Sequence, residues 1–196
     1  MRSTGPLAGG AFAPSARGRL AWFVRPHLTM QLVSAGLIDE TWRAVGASSP
    51  AAIRQLQKQC GKDHEELTGF MLGFTSDLRP EALGLALYVH VVVSHAFRRS
   101  GTKFRRIRPG RIERTWAANS EFIDGLKTSG YSRTAIPNEA LPSSEPAVLR
   151  YVIDALTEEG QDPVELSDGE FWHILRVLKT VVDCLHDAGI VQQSAA

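Results

Sequence analysis

The chain has 196 residues and a formal charge of +1, with 43% hydrophobic and 22% charged residues; at roughly 150 residues per domain, that length fits one domain, or one with a small appendage, and argues against two full ones. The composition is that of an ordinary globular protein, which excludes wholesale disorder, a collagen-like repeat and a low-complexity chain. A chain of this size buries roughly 70% of its unfolded surface, so its core does not depend on metal or disulfide staples.

Met1 to Arg19 is rich in Gly, Ala and Pro and contains no apolar stretch of the kind that opens a secretory signal, so a flexible tail is expected there. Leu28, Leu32 and Val33 recur at helical spacing, and Gly36 is expected to end that short first helix. Asp39 is expected to cap a brief helix that carries Trp42 and Val45 and closes at Gly46. Ser49 and Pro50 form an N-cap and first-turn pair that opens a helix through Ile53 and Leu56 to Gly61. Asp63 and Glu66 stand as a D-x-x-E capping box ahead of an apolar stripe at Leu67, Phe70, Met71 and Phe74.

Pro80 and Glu81 open a long apolar helix to Arg99. Its uncharged run, Ala82 to Phe97, is shorter than the roughly 20 residues of a membrane span, and a buried central helix is expected instead. From Arg111 to Thr128, Ile112, Trp116, Asn119, Phe122, Ile123 and Leu126 share one face, with Gly130 as the stop. Tyr131 to Ser144, punctuated by Pro137 and Pro142, reads as a linker. A helix carrying Val148, Leu149, Val152, Ile153 and Leu156 is expected behind a Ser144 cap. Ser167 and Glu170 form an S-x-x-E capping box for the last helix, whose apolar stripe runs from Phe171 through Ile174, Leu175, Leu178, Val181 and Val182 to Leu185. The expected fold is therefore all-α, a bundle of about seven helices with a C-terminal helical hairpin packed on it. Its segments are a tail at 1–19, the bundle at 20–130, the linker at 131–144 and the hairpin at 145–190, which forms one compact domain with the bundle.

Charge is strongly segregated. Arg98, Arg99, Lys103, Arg105, Arg106, Arg108, Arg111 and Arg114 are eight of the 22 basic residues, and Glu113 is the single acid among them. From Glu139 onward there are eleven acids against three bases, so the small net charge conceals two opposed regions. The basic segment could grip phosphates through charge-assisted contacts, with Phe104 stacking on a base. Alternatively it docks on an acidic partner or on the chain's own acidic C-terminal region, or it is a solvated loop.

Ile53 to Thr75 resembles the first two helices and turn of a phage-repressor-type helix-turn-helix domain. The segment after Thr75 is apolar and unlike a polar recognition helix, so no base-contacting residues are carried over.

Other chemistry is thinly represented. Glu170-x-x-His173 and Asp183-x-x-His186 have metal-like spacing but lie on one helix and face different sides, and His90 and His95 are not an i, i+4 pair. There is no G-x-S-x-G, no Gly-rich phosphate loop and no cysteine signature, and the four tryptophans read as core and boundary residues. Cys60 and Cys184 are expected to be buried free thiols of a reducing, cytoplasmic compartment. The functional expectation is a non-enzymatic interaction or adaptor subunit of a cytoplasmic complex, with a protein partner and no membrane, metal or cofactor, docking through an apolar helix face and its charge patches. The alternative is a nucleic-acid-binding accessory protein using residues 98–114, and a lesser one is a helical-bundle metalloenzyme using Glu170, His173 or His90.

Overall fold

The computed structural model describes residues 32–137, 143–157 and 164–190. These residues form seven helices, α1 (Ala35–Gly46), α2 (Pro50–Asp63), α3 (Glu65–Thr75), α4 (Pro80–Arg99), α5 (Pro109–Thr128), α6 (Pro146–Thr157) and α7 (Asp168–Ala188). One two-stranded antiparallel ribbon pairs β1 (Lys103–Phe104) with β2 (Gly189–Ile190), Lys103 opposite Ile190 and Phe104 opposite Gly189. The all-α bundle expected from periodicity is what the chain forms. The expected tail at 1–19 lies outside the described residues.

Several boundaries follow local chemistry. Ser49 caps α2 with Pro50 in its first turn, and Pro80 opens α4. Ser167 and Glu170 close a full capping box on α7. Elsewhere the ends differ from those expected. Leu32 and Val33 are not helical; Ser34 caps α1 by accepting from the Leu37 amide, so Gly36 lies in the first turn and Asp39 inside the helix. Asp63 is the last residue of α2, not the cap of α3, because its carboxylate accepts from Gln59 Nε2 at 2.7 Å. His64 alone separates α2 from α3, whereas a helix-turn-helix needs a turn of about three or four residues, so the resemblance at Ile53–Thr75 does not extend to the turn. α6 starts at Pro146, and it is the carbonyl of Glu145, not Ser144, that accepts from the Leu149 amide. The described part of the linker packs on the bundle: Ile136 is buried, and the Arg133 guanidinium donates to the Leu166 carbonyl.

α7 is the centre of the core. α3, α4, α5 and α6 all pack on it, and burial extends beyond the expected stripe to Trp172, Val177 and Cys184. The apolar stripe thus serves the protein's own core and leaves no docking face on α7. Between α5 and α7, buried Asn119 donates to Thr180 Oγ1 at 3.2 Å and to Asp183 Oδ2 at 3.0 Å, while Lys179 Nζ pairs with Asp183 at 2.7 Å. α4 is long and apolar enough to cross a membrane by length and composition; here Val89 to Ser94, Ala96 and Phe97 are buried against protein. Cys60 and Cys184 are both buried and free, and burial pushes the Cys184 thiol up to about 11.

The C-terminal end of α7 is held by one fully buried carboxylate. Glu145 Oε1 accepts from the Leu32 amide at 2.7 Å and Oε2 from the Val33 amide at 3.1 Å, and Oε1 lies 2.7 Å from Nδ1 of His186. The approach to α1, the start of α6 and the end of α7 are thereby tied together. Next to this junction a Cβ on Gly189 would displace the end of the Leu32 side chain and press on the His186 carbonyl and the Thr102 methyl, so a larger residue there disturbs the packing around Leu32. Removing one member of a buried charged network leaves the others without partners, at a cost of about 3–5 kcal/mol. Glu145→Ala is expected to lose that much unfolding free energy in urea titrations; a loss below about 1 kcal/mol, the range of surface contacts, would contradict the role given to this carboxylate.

Candidate functional site

The segment 98–114 runs from the end of α4, through β1, into the first turns of α5. Gly101, at φ +74°, makes the turn out of α4, a backbone region that favours glycine. The Arg105 amide then donates to the Ala188 carbonyl at 2.8 Å, which fixes the loop to the end of α7.

All eight cations of the segment are exposed, but they divide into two groups. Arg98 approaches Asp63 of α2 at 3.9 Å, Arg99 pairs with Glu40 of α1 at 3.2 Å, Arg106 pairs with Glu66 of α3 at 3.2 Å, and Arg111 pairs with Asp187 of α7. Arg99 also donates to the buried Thr41 hydroxyl at 2.9 Å. Lys103, Arg105, Arg108 and Arg114 have no acidic partner among the described residues. Docking of the basic segment onto the chain's own acids is therefore real but partial. Three of its four acids come from α1, α2 and α3, and only Asp187 belongs to the acidic C-terminal region.

Phe104 is not presented outward as a stacking platform. Its half-buried ring meets His64 edge-on, with centroids 5.1 Å apart, and lies 6.2 Å from Phe97. It also walls a cleft of about 300 Å³ between α2, α4 and β1. α5 begins at Pro109 behind Arg108 without a side-chain cap, so the positive end of its dipole adds to the unpaired cations.

The residues with metal-like spacing are not brought together. Glu170 receives Arg79 Nε at 2.8 Å and Nη2 at 3.1 Å, besides completing its capping box. His173 Nε2 bonds the Phe74 carbonyl, His186 faces Glu145, and His90 is buried with neither ring nitrogen hydrogen-bonded. Among the described residues no three His, Cys, Asp or Glu side chains converge as metal ligands.

Sequence reading missed one surface feature. Phe70 and Phe74, spaced as core residues, instead form an aromatic cluster with Trp116, with Phe74 4.4 Å from the indole and Phe70 5.5 Å from it. Phe74 and its neighbour Leu72 are 42% and 49% exposed, so α3 presents apolar surface outward. The i, i+4 spacing carried the pairing; nothing local showed that α3 lies at the rim of the bundle. Among the described tryptophans Trp42 is exposed and Trp172 buried, while Trp22 lies outside the described residues.

Compared with known proteins, the chain matches no family model, no curated protein and no solved structure. The functional reading therefore rests on the chemistry of the chain itself.

Two pH effects arise from the buried and paired groups. The Arg79 guanidinium, with the Ser167 amide and hydroxyl, holds the Glu170 carboxyl down to about 2 from an ordinary 4.5. That contribution is complete above pH 4.5 and is lost as the pH falls through about 2, so Arg79→Ala should flatten the stability profile in that acid window. Burial, reinforced by His64, pushes His90 down to about 4 from 6.5. Stability should accordingly decline as the pH falls from 6.5 to about 4, because the unfolded chain binds the proton first. His90→Leu removes the titrating ring, and thermal melts between those pH values should show a smaller decline; an unchanged slope would contradict the assignment.

Proposed function

We propose that the protein is a non-enzymatic helical interaction subunit that binds an acidic surface of a partner protein through Lys103, Arg105, Arg108 and Arg114. The supporting observation is the division of the basic segment. Half of its cations are paired with the chain's own acids, and the other half project from the same loop and helix start with no acidic partner among the described residues. Four exposed like charges on a short stretch repel one another, and an opposed surface relieves that repulsion and steers association. Arg99, Arg106 and Arg111, closely held by Glu40, Glu66 and Asp187, set the loop's position, while the unpaired cations do the binding. The two buried free thiols support a reducing, cytoplasmic setting.

Nucleic acid is the second reading, favoured by the uncapped start of α5 beside Arg105 and Arg108, an arrangement suited to phosphate. Against it, Phe104 is engaged by His64 and Phe97.

Fluorescence anisotropy separates the two readings. Labelled polyglutamate, single- and double-stranded DNA and RNA are titrated at two salt concentrations with the native chain and with a variant carrying Lys103→Ala, Arg105→Ala, Arg108→Ala and Arg114→Ala. Salt-sensitive binding of polyglutamate, weakened at least about tenfold in the variant, is expected. Absence of polyglutamate binding, or its survival in the variant, would overturn the proposal; tighter binding of a nucleic acid, with a steep salt slope, would put the second reading in its place.

A further inference from the structure

We propose that the cleft between α2, α4 and β1 binds a small zwitterion of the α-amino-acid type with an apolar side chain. At about 300 Å³ the cleft lies at the lower end of the range for small-molecule sites and has room for a single amino acid.

The charges of its lining suit a zwitterion better than a simple anion or cation. Arg98 from α4 and Asp63 from the end of α2 both line it. They stand 3.9 Å apart with no hydrogen bond between them, well beyond the roughly 2.7–2.9 Å of a close charge-assisted contact. Asp63 Oδ1 is occupied by Gln59 Nε2, which fixes the carboxylate and leaves its other oxygen toward Arg98. An α-carboxylate on the Arg98 guanidinium and an α-ammonium on Asp63 Oδ2 would each gain a full-strength hydrogen bond that the two residues do not make with each other.

The remaining walls add no net charge. His64 and His95 both line the cleft, and burial lowers both, the neighbouring Arg99 and Arg98 adding to the effect at His95. Burial likewise keeps the Cys60 thiol protonated. Leu56 and the Phe104 ring supply an apolar wall for a side chain. One turn before Ser94, which lines the cleft, His90 is buried with both ring nitrogens unpartnered and close enough to feel His64. Uncompensated polarity of this kind is rare in cores. The cleft uses none of Lys103, Arg105, Arg108 and Arg114, so the inference stands apart from the docking function.

The test is an isothermal titration of the full chain with L-leucine and its single-charge analogues, 4-methylpentanoate and isoamylamine. Saturable binding of L-leucine is expected, with each analogue at least about tenfold weaker. Arg98→Gln and Asp63→Asn are each expected to weaken L-leucine about tenfold without shifting the thermal midpoint, since both side chains are exposed at the rim. No saturable L-leucine binding, equal binding of 4-methylpentanoate, or affinity that survives both substitutions would overturn the proposal.

Discussion

The carboxylate of Glu145 is the constraint on which the rest of the structure depends. It is fully buried, and it reaches the amides of Leu32 and Val33 on one side and the imidazole of His186 on the other. A charge in that position is tolerated only because each of its oxygens is matched by donors. The consequence extends to the surface. His186 fixes the last turn of α7, the Ala188 carbonyl and Gly189 continue from it, and these hold Arg105 and Phe104. The exposed basic loop thus takes its position from a hydrogen-bonded junction inside the protein.

Around that junction the segregated charge resolves into two kinds of contact. Ion pairs at the surface contribute little to stability singly, about 0–1 kcal/mol. Their effect here is geometric, because the pairs to Glu40, Asp63, Glu66 and Asp187 connect the loop and the ends it joins to four different helices. The cations left over are then presented on a fixed scaffold and do not trail on a flexible one, which lowers the ordering cost of binding an acidic surface. The apolar stripe of α7 has the opposite fate, since it is enclosed by α3, α4, α5 and α6. Outward apolar surface comes instead from Leu72 and Phe74 of α3.

What the sequence revealed depended on how local each interaction is. The Ser49–Pro50 start, the Pro80 start and the Ser167–Glu170 box involve neighbours in the chain, and the structure contains all three. The D-x-x-E at Asp63 has the same form but loses to other contacts, one of them local and two distant. Asp63 bonds Gln59 and faces Arg98, and Glu66 pairs with Arg106, forty positions away. Asp39 lies inside α1 because Ser34, three residues ahead of Leu37, caps that helix instead, and α6 begins after Glu145, whose carbonyl accepts from the Leu149 amide. The basic segment itself was plain from composition. Which of its members are paired was not, because Arg99 meets Glu40 across 59 positions and Arg111 meets Asp187 across 76.

The division of the basic segment is tested most directly by arginine-selective labelling of the folded protein with phenylglyoxal, read residue by residue by mass spectrometry over a time course. Arg105, Arg108 and Arg114 should be modified rapidly, and Arg99 and Arg111, held by Glu40 with Thr41 and by Asp187, should react slowly until the protein unfolds. Equal rates for Arg99, Arg111 and Arg105 in the folded protein would contradict the account.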